Sequence, residues 1–444
     1  MNGSRNTLAA YVLLAVSALA YVALGYATPR ENFMQLLLLF AACFAGYVYI
    51  INVRIPVWHG LAAAIVFRLL LLFATPHLSD DYFRFVWDGR LLAAGINPYL
   101  YLPGYFVKEG AATVPGITEA LYLQLNSPAY YSVYPPAAQA VFWLSVKLSP
   151  DNLMGSVVVI RLVIVAAEML SLLLLLRLIR KTGFPDGYVL LYALNPLVIL
   201  ELTGNLHFEA LMILFILLGL YQLLYQRAFR AGGAFGLAIG VKLLPLLFLP
   251  LVWRRLGLKQ FVYFMAALGC TLVVISFPLI NADVIGHILS SLDLYFRRFE
   301  FNASVYYVLR WLGLQLTGYN QIALLGPLLS VVTLVVVVWM AIVNRLGSVK
   351  RLTGFMAAAL TVYLLLATTV HPWYITTLVA LTAVGLFRFA IPWSGLTIFS
   401  YAAYRKHPYT EDLTLITLEY TIVLLWLLAE LYLYRQRRKQ ANLN

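Results

Sequence analysis

Charged side chains are scarce in this chain, and their scarcity decides the class of protein. Asp, Glu, Lys and Arg make up 11% of the 444 residues, whereas 63% of the residues are hydrophobic. Soluble domains average about 25% charged and about 45–50% apolar residues. A soluble cytoplasmic enzyme, a disordered scaffold and a nucleic-acid-binding protein are therefore excluded. The composition is that of a polytopic membrane protein.

Cysteine is also nearly absent. The two cysteines, Cys43 and Cys270, lie inside apolar runs, where we expect both to be buried. Two such residues provide neither a disulfide framework nor a thiolate zinc site. The sequence also lacks the HExxH, CxxC and GxxxxGK[ST] patterns, so it predicts no metal and no nucleotide cofactor.

Long apolar runs, by contrast, fill most of the chain. A spanning helix needs about 20 mainly apolar residues. We therefore predict a single all-α domain over residues 1–444, a polytopic transmembrane helix bundle of about 11–14 membrane segments, some of them re-entrant. The long runs lie at 8–27, 33–51, 57–74, 155–176, 188–203, 208–226, 260–280, 321–343, 352–370, 372–389 and 413–434, and shorter or interrupted runs lie at 134–149, 232–252, 304–317 and 391–404.

The positions of the basic residues predict the orientation. The chain has 31 Lys and Arg against 18 Asp and Glu, a net charge of +13, which suits cytoplasmic loops and contact with anionic membrane lipid. All basic runs fall on the cytoplasmic side if 232–252 is a broken, re-entrant pair of half-helices and if 134–149 and 304–317 are treated in the same way. The amino terminus is then inside, and two long polar segments are extracytoplasmic. We call 75–133 the first loop and 281–303 the second loop.

The first loop begins with the most distinctive motif in the chain. Residues 79–90 read SDDYFRFVWDGR, with an N-capping serine before two aspartates that suit a helix dipole. This pattern predicts a helix over 80–94, in which Arg84 pairs with Asp80 or Asp88 four residues away. An ordinary capped interfacial helix has the same pattern, so spacing alone leaves a structural and a catalytic interpretation open.

Three further groups of polar and aromatic residues lie at predicted outer ends of apolar runs. For His207 and Glu209 a functional interpretation is favoured, because ionisable residues at membrane depth usually face an interior or an aqueous path. Structural pairing, an interfacial aromatic belt and ion pairs of the arginines with Asp293 or Glu300 are the alternatives. The three groups are His207 with Glu209, Arg297 with Arg298, and His371 with Trp373 and Tyr374.

In these blocks the chain resembles the GT-C superfamily of integral-membrane glycosyltransferases. Within it the chain is most similar to the polyprenol-phosphate-mannose-dependent mannosyltransferases around glycosyltransferase family 87. The similar blocks follow one another through most of the chain: 79–90, AGINPY at 94–99, YPP at 134–136, GNLHFE at 204–209, Lys242 with Pro245 and Pro250, and HPWY at 371–374. The family pattern has Asp where this chain has Glu209.

The resemblance implies an inverting transfer of a hexose, most of all mannose, from a polyprenyl-phosphate donor. The acceptor would be a glycolipid, a polysaccharide or a protein outside a bacterial inner membrane. Asp81 carries over as the general base, with Asp80 as the second candidate. Cationic and imidazole side chains would hold the phosphate, and aromatic rings would stack on the sugar or the isoprenoid. The implied substrate-binding residues are Arg84, Trp87, Asp88, Arg90, Asn97, Tyr99, His207, Glu209, Arg297, Arg298, His371, Trp373 and Tyr374.

Other functions remain open at this point. Glucose or arabinose can replace mannose as the transferred sugar. A lipid or solute transporter is an alternative from another class, although transporters usually show internal repeats and midplane ionisable groups, which this sequence does not show. An oligosaccharide polymerase or ligase is a third, but its large outer loop is expected late in the chain, and here the large loop comes early.

Overall fold

A computed structural model of the chain describes residues 2–53, 55–110, 113–406 and 408–443. Helices dominate these residues, which contain no named strand and one isolated bridge, between Phe301 and Thr369. The predicted all-α class is confirmed. The helices are α1 (Asn2–Tyr26), α2 (Phe33–Val53), α3 (Val57–Leu70), α4 (Asp81–Ala93), α5 (Glu119–Tyr122), α6 (Pro136–Leu148), α7 (Leu153–Thr182), α8 (Leu190–Ala193), α9 (Glu209–Leu224), α10 (Ala228–Val241), α11 (Leu249–Ser276), α12 (Val284–Arg298), α13 (Val305–Thr317), α14 (Ile322–Val343), α15 (Val349–Leu366), α16 (Tyr374–Ala383), α17 (Ala390–Leu396) and α18 (Leu413–Leu443).

Seven helical segments of the described chain are long and apolar enough to cross a membrane, or eight if one bent pair counts as a span. Three runs that we predicted as spanning helices form shorter ones. The runs at 57–74, 208–226 and 372–389 give α3, α9 and α16, of 14, 16 and 10 residues. At 1.5 Å per residue a 14-residue helix rises about 21 Å, less than the hydrocarbon thickness of about 30 Å.

The run at 188–203 is broken as well. Asp186–Ala193 and the π-helical turn Val198–Gly204 meet at 57°. Arg161 of α7 donates to the carbonyl oxygens of Thr203 at 2.8 Å and Gly204 at 3.0 Å. Because backbone groups in a membrane need a partner inside the protein, this buried guanidinium satisfies the end of the broken segment.

Two of the basic loops meet at one end of the bundle, which we call the basic end. Arg254 and Arg255 of α11 donate to the carbonyl oxygens of Asn344 and Gly347. At the opposite end α10 terminates and Lys242 forms an ion pair with Glu209. The chain thus runs along α10 away from the basic end and returns to it by Arg254. The segment 232–252 is therefore a hairpin of two short pieces, as its charge pattern predicted.

Small residues allow the hairpin to pack closely. A Cβ atom at Gly232 of α10 would collide with the backbone carbonyl of Phe264 in α11.

Of the two cysteines, Cys43 is buried as expected, but Cys270 of α11 is exposed. The expectation for Cys270 was wrong because an apolar run in a membrane helix has a lipid-facing side as well as a core side.

The first loop is folded against the bundle. Its helix α4 packs on α6, and Gly89 allows the contact, because a Cβ atom there would collide with the carbonyl of Phe142. A small separate core within the loop consists of Trp87, Leu91, Val114, Leu121 and Leu125. This core packs the second half of α4 against the rest of the first loop.

Candidate functional site

Asp80 and Asp81 lie at the start of α4, the helix predicted over 80–94. Asp81 accepts a hydrogen bond from the side chain of Asn126 at 2.7 Å. Asp80 forms an ion pair with Arg30, from the connection between α1 and α2, at 2.7 Å. Since the two carboxylates have different partners, they do not form a dyad that shares one proton.

Arg84 and Asp88 anchor α4 and are both buried. Arg84 pairs with Asp88 at 2.8 Å, the second of its two predicted partners. Asp88 also accepts hydrogen bonds from Ser132 at 2.5 Å and Gln139 at 2.9 Å. Arg84 further donates to two backbone carbonyls of the first loop, at 3.1 Å each. Arg84 and Asp88 therefore neutralise each other inside the protein.

Four more of the predicted substrate-binding residues hold the first loop in place. Arg90 donates to the carbonyl of Gly116 at 2.5 Å, and Asn97 donates to the carbonyl of Leu279 at 2.9 Å. Trp87 is fully buried in the small core, and buried Tyr99 donates to the carbonyl of Tyr134. Neither ring presents a face for the predicted stacking on a sugar.

The later motifs converge next to Asp81. Glu209 is the first residue of α9, and its carboxylate pairs with the ammonium of Lys242. The same ammonium lies 4.4 Å from the centre of the Tyr374 ring, where a cation–π contact holds it. The positive charge of Lys242 also opposes the rise that burial causes in the pKa of Asp81. Residues from four separate regions of the sequence therefore share one site.

Stacked rings form one wall of this site. The ring of His207 stacks on Trp373 at 3.7 Å, Trp373 stacks on His371 at 4.4 Å, and His371 stacks on Phe301 at 5.0 Å. We call these four side chains the ring column. Phe301 belongs to the chain just after α12 and pairs with the segment before His371, since its N–H donates to the carbonyl of Thr368 at 3.1 Å. The second loop thus supports the column.

A strained turn puts His207 into the column. Leu206 is fully buried and has φ +64°, a left-handed conformation that is uncommon for a residue other than glycine. The preceding Asn205 accepts a hydrogen bond from the N–H of Leu78 at 3.1 Å and donates to the carbonyl of Leu200 at 3.0 Å. The turn between the π-helical segment and α9 is therefore tied to the chain that leads into α4.

Burial and neighbouring charges change the protonation of the site. Burial raises the pKa of the Asp81 carboxyl; the Asn126 hydrogen bond and Lys242 oppose this effect, and Asp80 and Glu209 add to it. Burial lowers the pKa of His207 well below its usual range and that of His371 to about 3, with Lys242 contributing to both shifts. Both imidazoles are therefore neutral at pH 7.

This arrangement can accept a proton beside a positive charge. Asp81 is a partly exposed carboxylate with a raised pKa, and Lys242 supplies a cation next to it. A base with a pKa nearer neutrality is better matched to proton transfer at the working pH. Within the described parts of the chain, no group of three or more His, Cys, Asp or Glu side chains is placed to hold a metal ion.

The predicted arginines of the second loop are not gathered with these residues. Arg297 pairs with Asp293 at 2.7 Å near the end of α12, and both side chains are about half exposed. The other predicted partner, Glu300, pairs with Arg310 instead. Arg298 is exposed on the last turn of α12.

Sequence reasoning missed three residues of the site. Arg30 pairs with Asp80 and lies 4.9 Å from the ring of Tyr404. Its signal was an arginine on the predicted outer side, the same anomaly that drew attention to Arg297. Lys242 belongs to one of the blocks that carry the resemblance, but it is not among the predicted site residues. Asn126 had no signal, because an asparagine in a long polar loop is unremarkable without its contact to Asp81.

Comparison with known proteins places the chain in a family. Residues 33–257, just over half of the chain, match the MptA_B family, described as alpha-(1->6)-mannopyranosyltransferase, N-terminal domain. Alpha-(1->6)-mannopyranosyltransferase A of Corynebacterium glutamicum is 24% identical over 201 residues, which cover 44% of this chain and 38% of that relative. The chain thus spans well under half the length of this curated relative. The family range includes Asp81, Glu209 and Lys242, and it confirms the resemblance to membrane mannosyltransferases. This integral membrane protein belongs to the MptA_B family of alpha-(1->6)-mannopyranosyltransferases.

Proposed function

We propose that this protein transfers mannose from a polyprenyl-phosphate donor to a hydroxyl group of an extracytoplasmic acceptor, with inversion at the anomeric carbon. The acceptor is a glycolipid, a polysaccharide or a protein. The observation that carries the proposal is the position of Asp81, a carboxylate of raised pKa beside Lys242 and the ring column at one end of a membrane bundle. Family membership supports mannose as the sugar.

The proposed chemistry is a single displacement. The acceptor oxygen attacks the anomeric carbon of mannose from the face opposite the phosphate, and its proton passes to Asp81. The bond between the anomeric carbon and the phosphate oxygen breaks, and polyprenyl phosphate leaves as an anion. A positioned carboxylate base contributes typically 10²–10⁴-fold. The leaving group is a stable anion, so it needs charge stabilisation more than protonation.

The distribution of charge supports an outward-facing site. Arg254, Arg255 and the basic loop before α15 lie at the end opposite Lys242, and loops rich in Lys and Arg are usually cytoplasmic. Asp81 then faces the outside of the inner membrane. A lipid-linked donor suits that side, since it can reach the site within the bilayer.

An apolar cavity near the ring column suits the lipid chain of the donor. It has a volume of about 150 Å³. Its lining includes Leu247 from the turn before α11, Leu329 of α14 and Tyr363 of α15. Its lining also includes Thr368 and Thr369, just before His371. An isoprenoid chain in this cavity would lie close to the column.

Transfer from defined donors tests the proposal. The purified protein in nanodiscs should transfer radiolabelled mannose from a short-chain polyprenyl-phosphate mannose to membrane glycolipid extract. Glucosyl and arabinosyl carriers should give less product, and guanosine diphosphate mannose should give none. Transfer from the nucleotide sugar alone, or from none of the carriers, would overturn the proposal.

The pH dependence of transfer should reveal the environment of Asp81. The base must be deprotonated, so kcat/KM should rise with pH through a pKa above the ordinary range of Asp. Asn126→Ala removes a hydrogen bond that lowers this pKa, so the acidic limb should move to still higher pH. Gln124→Ala, an exposed change in the same loop, is the control. A limb that stays in place or moves to lower pH in Asn126→Ala would contradict Asp81 as the base.

A further inference from the structure

We infer that Lys242 binds the phosphate of the lipid donor and that Glu209 positions it for this task. The inference rests on the proposed function, because it assumes a donor with a phosphate head group. It assigns the phosphate to the hairpin between α10 and α11 rather than to the arginines and histidine that the sequence suggested.

The charges of the site favour Lys242. Arg84 is neutralised by buried Asp88, and Arg297 is paired on α12 away from the column. His371 is neutral, so it can offer an N–H group but no charge. Lys242, in contrast, acts electrostatically on Asp81, His207 and His371 together. The ammonium also pairs with Glu209 and lies over the ring of Tyr374, the residue that follows Trp373 of the ring column.

The geometry leaves room for an anion at the ammonium. Lys242 follows the last residue of α10 in an extended conformation, at the tip of the hairpin. Its side chain is 32% exposed, whereas its partner Glu209 is 2% exposed. An ammonium has three donors, so one can stay on Glu209 while the others face a ligand. Glu209 and the ring of Tyr374 hold the lysine in place but do not enclose it.

Arg30 is the other cation near the acids, and its environment is different. Its side chain is 15% exposed and pairs with Asp80 at 2.7 Å. It also lies over the rings of Tyr404 and Tyr409, at 4.9 and 5.9 Å. These contacts hold the connection between α1 and α2 against the segment just before α18. Arg30 thus has little free surface for a phosphate.

Binding of polyprenyl phosphate without a sugar tests the inference directly. Titrated into protein in phosphatidylcholine nanodiscs, short-chain polyprenyl phosphate should bind Lys242→Gln about 10- to 100-fold more weakly than wild type, because a charge-assisted hydrogen bond is lost. Lys242→Arg should retain most of the affinity. Arg180→Gln, which breaks an ion pair with Asp186 near the basic end, is the matched control and should bind as wild type does. Equal affinity of wild type and Lys242→Gln would overturn the inference.

A double variant separates a phosphate ligand from a mere partner of Glu209. In Lys242→Met/Glu209→Leu no carboxylate is left without its cation, so the fold keeps its charge balance. If Lys242 only neutralises Glu209, the double variant recovers wild-type affinity, which overturns the inference. If Lys242 binds phosphate, the double variant binds as weakly as Lys242→Gln. If Lys242→Gln fails to fold, the double variant is compared with wild type, and binding about 10- to 100-fold weaker than wild type supports the inference.

Two further arms identify the source of the phosphate and protect the proposed function. Phosphatidylglycerol in the nanodisc, at the same concentration as polyprenyl phosphate, should not compete with it for binding. Full competition would mean that Lys242 binds anionic lipids in general and would overturn the inference. If wild-type protein transfers mannose but Lys242→Gln binds polyprenyl phosphate as tightly as wild type, this inference alone is refuted. Wild-type protein that neither binds polyprenyl phosphate nor transfers from its mannosyl form refutes the proposed function.

Discussion

Replacing Asp81 by asparagine should abolish sugar transfer while the lipid donor still binds. Asparagine keeps the size of the side chain and can still meet Asn126, but it cannot take the proton of the acceptor. The loss of a carboxylate base should lower kcat by about 10²–10⁴-fold. Single-turnover transfer and equilibrium binding of polyprenyl-phosphate mannose, measured on the same nanodisc sample, separate the two steps.

Two other acids make the test specific. Asp283→Asn changes an exposed acid next to α12 and should leave transfer unchanged. Asp80→Asn weakens the ion pair with Arg30 and should reduce transfer less than Asp81→Asn does. If Asp80→Asn abolishes transfer and Asp81→Asn does not, Asp80 is the base. Transfer that survives both substitutions would leave the proposed mechanism without its base.

Replacing Arg68 by methionine should destabilise the bundle by about 3–5 kcal/mol, because it leaves a buried carboxylate without its partner. Arg68 of α3 pairs with Glu168 of α7 at 2.7 Å, and both side chains are fully buried. Glu168 also accepts a hydrogen bond from Thr203 in the π-helical turn. Chemical denaturation in detergent, followed by tryptophan fluorescence, measures the change.

The matched control removes both charges. Arg68→Met/Glu168→Leu leaves no unpaired charge in the bundle and should recover much of the lost stability. Arg180→Gln breaks an exposed pair and should have little effect on unfolding. If the double variant is no more stable than Arg68→Met, the cost arises from packing around α3 and α7 and not from the unpaired carboxylate.

Local patterns were sufficient for the helix that carries the acids. The capping serine, the two aspartates and the following apolar spacing predicted 80–94, and α4 covers Asp81–Ala93. The pairing of Arg84 was limited to two candidates by helical spacing, and Asp88 is the partner. The positions of basic loops similarly predicted the hairpin over 232–252. Each of these features depends on residues that are close in sequence, so the pattern contains most of the information.

Helix length was less predictable than helix position. The runs that give α3, α9 and α16 are as apolar as true spans, yet their helices end early. Distant partners satisfy the backbone at such breaks: Arg161 of α7 donates to the carbonyl of Leu72, just after α3, and to carbonyl groups of the π-helical turn. Hydrophobicity reports that a segment can lie in a membrane, but it does not report which backbone groups another helix will satisfy.

Sequence patterns alone establish an all-helical membrane protein whose acids open the first loop and whose motifs resemble those of membrane mannosyltransferases. Which motif residues meet depends on the tertiary structure. It brought Glu209, Lys242 and the ring column to Asp81, and it enclosed Trp87 and Tyr99 within the protein. The physical reason is that composition and periodicity act along the chain. The field at Asp81 instead depends on charges from α9 and the hairpin, which are distant in sequence and close only after the helices pack.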